Sequence, residues 1–242
     1  MSRGSEADSS ESPAARSAGD SNADRDRSRG ARGLIPSVPS PKRLLAPETE
    51  QALTTRQLEI LDALEDSIMV ESLAGVTMAE IAKRMNCSLR TLYGIAPSKD
   101  ELVMAIVDRR LHRIGREAIA ALERPGSPLS RLRAYLAAAN RAVQPTTAAF
   151  SRDFARDPAA RRVVGEHAAY VVAITQALLD EAVADGEIPE MDTVALAHVL
   201  GGLGSEFSRP DVEERIQGSP KDAADFVAEI IFSGLKPMSG IS

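Results

Sequence analysis

Three helix-start signals crowd into one short stretch of this chain and leave room only for short helices. Thr77-Met78-Ala79-Glu80 is a capping box: the Thr side chain accepts from a free amide of the first turn, and the Glu three residues on reaches back to the Thr amide. Ser88 can cap a second segment, and Ser98-Lys99-Asp100-Glu101 is another capping box. Between them Asn86 suits a tight turn, because it tolerates left-handed backbone, and Pro97 halts what precedes it. The predicted elements are a helix from Thr77 with the apolar stripe Met78, Ile81, Ala82 and Met85, a short helix over 89–95, and a longer helix after Ser98. That longer helix carries Leu102, Ile106 and Ile114 on one face, with Arg109 or Arg110 between them. A helix capped by Thr54 or Thr55 comes before the group, with Ile60, Leu61, Leu64 and Ile68 on one face and an end between Glu71 and Gly75.

Helical patterns continue to the end of the chain. Helices are expected over 128–143, over 146–156 up to Asp157-Pro158, and over 159–184 up to a Gly186 cap. Asp192 opens another, reaching about Phe207, and Ser219-Pro220 opens the last, which ends near Gly234. No alternating strand pattern and no internal repeat is present. Aromatic residues make up only 3% of the chain and Trp is absent, so the core must come from Ala, Leu, Val and Ile. The fold class is therefore all-α. Residues 1–53 read as a disordered tail, because the low-complexity Ser, Gly, Pro, Arg and Asp stretch up to about residue 50 buries too little apolar area to offset its ordering entropy. Residues 54–98 form a three-helix N-terminal unit, and residues 99–236 form a helical remainder.

Two short helices joined by a tight turn, the second polar and basic, make a helix-turn-helix. The second helix of such a pair lies in the major groove of DNA, where each base pair offers a distinct donor and acceptor pattern. Net charge is −6, yet between Ile81 and Lys99 the charges are Lys83, Arg84, Arg90 and Lys99, with no acid. Phosphates meet only the docking surface, so a local basic face on an acidic chain suits double-stranded DNA. Arg90 is the best base reader, since its fork meets guanine O6 and N7 together. Leu89 and Thr91 suit a thymine methyl, and Ser88 stands beside them. Thr77, Tyr93 and Lys99 are better placed for phosphate. Arg25 to Arg43 is also basic and reads either as a solvated tail or as an arm seeking the minor groove.

Enzyme chemistry finds no footing. His112, His167 and His198 are far apart in the sequence and lack metal-ligand spacing, and no phosphate loop or nucleophile elbow is present. No metal and no cofactor is expected. The single cysteine, Cys87, reads as a small buried hydrophobe. It excludes an intrachain disulfide framework, and with no signal peptide and no apolar run of membrane-spanning length a cytoplasmic location without membrane contact is expected.

Thr77-Met78-Ala79-Glu80-Ile81-Ala82, Cys87-Ser88-Leu89-Arg90-Thr91-Leu92-Tyr93 and Pro97-Ser98-Lys99-Asp100-Glu101-Leu102 together resemble the tetracycline-repressor (TetR) family, without a gap from Ile81 to Leu102. The sequence departs from the family pattern at Ile95-Ala96, where an aromatic core plug is usual, and at Asn86, where Gly is frequent. The resemblance implies a helix-turn-helix DNA-binding domain followed by a ligand-binding and dimerisation domain. It implies a homodimeric regulator, commonly a repressor, released from a palindromic operator by a small-molecule effector. A helical sensor or adaptor without operator binding is the alternative. The last two large helices would pair across the dimer. Gly201, Gly202 and Gly204 read either as a site of close backbone approach or as a helix break before Pro210. The effector site would draw on Tyr135, Phe150, Phe154, His167, Tyr170 and Ile174, and the scarcity of aromatics points to an aliphatic effector.

Overall fold

The computed structural model describes residues 38–45, 47–70, 75–143 and 158–235. These residues form helices with no strand among them: α1 (Pro47–Ala52), α2 (Thr55–Val70), α3 (Met78–Arg84), α4 (Leu89–Tyr93), α5 (Lys99–Ala121), α6 (Pro128–Ala139), a 3-10 turn (Asn140–Val143), α7 (Pro158–Ala184), α8 (Thr193–Phe207), α9 (Pro210–Glu213) and α10 (Pro220–Gly234).

The caps act where the sequence puts them. Thr77 caps α3 with the full reciprocal box to Glu80, Ser88 caps α4, and Ser98 caps α5. Thr54 accepts the Gln57 amide at the start of α2. The helix expected over 89–95 is shorter and stops at Tyr93 as α4, and the helix after Pro128 tightens into a 3-10 turn from Asn140. The expected helix over 146–156 lies outside the described residues.

Two cores share one helix. Ile60, Leu61 and Leu64 of α2 pack with Ile81 of α3, Leu92 of α4, and Leu102 and Ile106 of α5. The second core joins Leu132 and Tyr135 of α6, Leu178 and Leu179 of α7, Leu200 of α8 and Phe232 of α10. Helix α5 enters the first core with its N-terminal half and the second with Ala118 and Ala121. Any tilt of α5 is therefore felt in both. Ile95 and Ala96, which stand where an aromatic plug was expected, are both buried in the first core and close it with aliphatic atoms.

Residues 38–45 and 47–52, expected to be disordered, are instead ordered against the body. Val38 packs on the second core, the Leu44 amide donates to Asp108 Oδ2 at 2.9 Å, and Glu50 of α1 receives Arg43 at 2.7 Å and Arg109 at 3.0 Å. Ion pairs and one apolar anchor outweigh the ordering entropy that composition alone suggested. Arg43 is thus spent inside the protein and is not part of a DNA-seeking arm; residues 25–37 of that basic stretch lie outside the described residues.

Candidate nucleic-acid interface

The turn between α3 and α4 is a Schellman closure. The Cys87 amide donates to Ala82 O at 2.9 Å and the Asn86 amide to Lys83 O at 3.2 Å. Asn86 takes φ +47°, the left-handed conformation that Asn tolerates better than most side chains. Helix α4 then starts with Ser88 Oγ accepting the Thr91 amide at 3.1 Å and meeting Thr91 Oγ1 at 2.8 Å. One side of α4 is sealed: Leu92 is 0% exposed. The other faces outward. Leu89 and Tyr93 are 42% and 53% exposed, although both are large hydrophobics, and Ser88 and Arg90 are exposed beside them. Apolar side chains held open to water beside a cation suit a surface that is covered when it works.

The candidates differ in how free they are to act. Arg90, Leu89 and Tyr93 present their side chains to solvent, while Thr91 and Lys99 are half-buried at the rim. Ser88 and Thr91 share one hydroxyl contact, so both are oriented by the cap itself. Thr77 is exposed, but its hydroxyl donates to Glu80 Oε2 at 2.9 Å and its amide to the same oxygen at 2.8 Å. These bonds hold the Glu80 carboxyl below its ordinary range. A phosphate would reach Thr77 only by displacing an anion. Around the turn, Arg56 of α2 donates to the Met85 carbonyl at 2.9 Å and so braces the turn from behind. Cys87 is half-buried, and burial pushes its thiol upward, which keeps it protonated and unreactive.

Tyr135 and Ile174 are buried in the body core, with Tyr170 packed against it; burial pushes both phenols upward. Phe150 and Phe154 lie outside the described residues. His167, on the same helix α7 as Tyr170 and Ile174, stands against α5. Its ring meets that of His112 with centroids 4.7 Å apart, and the Nε2 atoms of both lie 3.5 Å from Asp108 Oδ1. The reading of the histidines as mutually distant therefore fails for this pair: α7 crosses α5 and brings together residues far apart in sequence. Asp108 and His112, four apart on one helix face, carried a local signal; their partner His167 did not.

No family model matches the chain. A transcriptional repressor of the helix-turn-helix type from Mycolicibacterium smegmatis, KstR, is 28% identical over 180 residues, covering 69% of this chain and 85% of the relative. Among solved structures, a TetR/AcrR-family regulator from Thermobifida fusca superposes with TM-score 0.59 at 20% identity, covering 76% of this chain and all of that one. A TetR regulator from Haloarcula marismortui gives TM-score 0.63 at 17% identity, over 75% of this chain and 98% of the other. The chain has the TetR-family fold.

In the TetR-family fold, the helix-turn-helix corresponds here to α3 and α4, and the helical domain to the body built on α6, α7, α8 and α10. The relatives found are transcriptional regulators rather than enzymes. No helix among the described residues is long and apolar enough to cross a membrane.

Proposed function

We propose that this protein is a DNA-binding transcriptional regulator, a two-fold dimer on a palindromic operator, released when a small molecule binds in the body. The observation that carries the reading is the outward face of α4, with Leu89, Arg90 and Tyr93 exposed while Leu92 anchors the helix from behind. Arg90 reads a guanine edge. Leu89 and Thr91 lie against thymine methyls, and Ser88 stands at the start of the same reading edge. Tyr93 and Lys99 meet phosphates, with Thr77 at the margin.

Dimerisation is supported by what α8 and α10 leave uncovered. Val194 and Val199 of α8 are 47% and 51% exposed, and Phe226 and Ile230 of α10 are 67% and 57% exposed. Phe226 and Ile230 lie one turn apart on α10, so they share a face. Two copies meeting through these faces bury them, and a two-fold axis then demands a palindromic site.

The switch rests on α5, the helix common to both cores. An effector among Tyr135, Tyr170 and Ile174 displaces the body end of α5 and changes the spacing of the two α4 helices. It acts only through its unequal affinity for the two arrangements. The sparsely aromatic core suits an aliphatic effector. Selection of bound duplexes from a random pool tests the reading. Enrichment of an inverted repeat with half-sites about one helical turn apart, bound with a steep salt dependence, supports it. Recovery of no sequence, with no salt-dependent gel shift, overturns it.

A further inference from the structure

We propose that Asp108, His112 and His167 form a binding site for a divalent first-row transition metal such as zinc, joining α5 to α7. The three offer one oxygen and two imidazole nitrogens, with all ligand atoms within 4.8 Å of one another. Each Nε2 lies 3.5 Å from the same Asp108 oxygen. Ligands at about 2.1 Å around a tetrahedral ion stand about 3.4 Å apart, so the two carboxylate–imidazole spacings already match a shared ion. Both Nε2 atoms are cut off from solvent and have no hydrogen-bond partner, an arrangement with a cost unless something takes their lone pairs or protons. The second carboxylate oxygen of Asp108 accepts the Leu44 amide at 2.9 Å, which holds the carboxylate in orientation from behind, as outer partners of metal ligands do.

The donor set is chemically selective. Two imidazoles and one carboxylate suit zinc and its neighbours rather than calcium or magnesium, which prefer oxygen throughout. Three protein ligands leave a position open to water or an anionic oxygen donor. Arg43 and Arg116 are the cations that act on His112; Arg43 is paired with Glu50, and Arg116 is exposed. Beside the site, Met104 of α5 packs with Ala160 and Val163 of α7, giving it an apolar flank. The position matters. Asp108 and His112 lie on the stretch of α5 between its residues in the DNA-binding core and its residues in the body core. A bound ion pins α5 to α7 at that crossing.

This inference goes beyond the DNA-binding reading and is measured on the protein alone, so either can fail without the other. The full chain is stripped with EDTA and titrated with Co2+, followed by visible absorption, and with Zn2+, followed by calorimetry. The expected result is one equivalent of each, a cobalt d–d band, and a rise in Tm with Zn2+. H167Q, H112Q and D108N each weaken Zn2+ binding at least tenfold, and C87S binds as the parent does. Circular dichroism checks folding. If D108N loses structure, H167Q, which keeps the Asp108–Leu44 bond, decides the matter. The proposal is overturned if the parent chain shows no cobalt band and no zinc heat at micromolar concentration, or if H167Q binds zinc as tightly as the parent.

Discussion

On the proposed reading Arg90 of α4 reads bases while Lys99, at the start of α5, grips phosphate, and the two roles are separable by experiment. Arg90→Ala should narrow the gap between operator and random DNA, by about 1–3 kcal/mol at one base pair, in competition gel shifts. Lys99→Ala should weaken all sequences alike and reduce the salt slope by about 1. The capping box gives a different kind of test. Thr77→Ala removes the side-chain cap of α3 and should cost about 1 kcal/mol in thermal unfolding. The Glu80 carboxyl is held below its usual value of 4.5, first by the Thr77 amide and then by the Thr77 hydroxyl. Its contribution is thus present above that value and lost as pH falls through the lowered one. Carboxyl NMR titration should place the Glu80 midpoint below 4.5.

Between elements, two contacts carry sharp consequences. Glu65 of α2 is 4% exposed and meets α5 through Arg113, with Arg109 at 3.6 Å and Arg110 at 3.9 Å. Burial lowers Arg110 even with this carboxylate beside it. Glu65→Ala would take the shared carboxylate from half-buried Arg109 and Arg110 and from exposed Arg113, and should cost about 1–3 kcal/mol in urea unfolding. The other contact joins α8 to α7. A Cβ on Gly201 would stand 2.9 Å from Val172 Cγ2, 3.0 Å from its Cα and 3.2 Å from its N. The close approach expected at the glycines of α8 is real at Gly201, and lies within the chain, against the backbone of α7. Gly202 has open space instead. Gly201→Ala should therefore destabilise by about 1–3 kcal/mol, whereas Gly202→Ala should not, by the same melts.

For the whole molecule, the exposed faces of α8 and α10 predict assembly. Replacing Phe226 and Ile230 together by Glu should give monomers in size-exclusion chromatography with light scattering. Operator affinity should fall with the dimer, because each half-site is then bound alone. The folded monomer should keep its helical circular dichroism, since both side chains lie outside the core.

The sequence by itself determined the local geometry of the helix-turn-helix. Caps at Thr77, Ser88 and Ser98, the left-handed Asn86 and the sealed Leu92 depend on bonds and spacings within a few residues, which the order of side chains specifies directly. The outward display of Arg90 follows, because burying Leu92 turns the opposite side of a helix to solvent. Only the tertiary structure decided which distant surfaces meet. It docked residues 38–45 and 47–52 through Glu50 and Asp108, turned Gly201 onto Val172, and brought His167 to His112. A helical period marks which face of α5 or α7 is apolar, but it carries no record of where two such faces cross. That is set by the packing of many side chains at once, and charges few in number can then hold in place a segment whose composition argues for disorder.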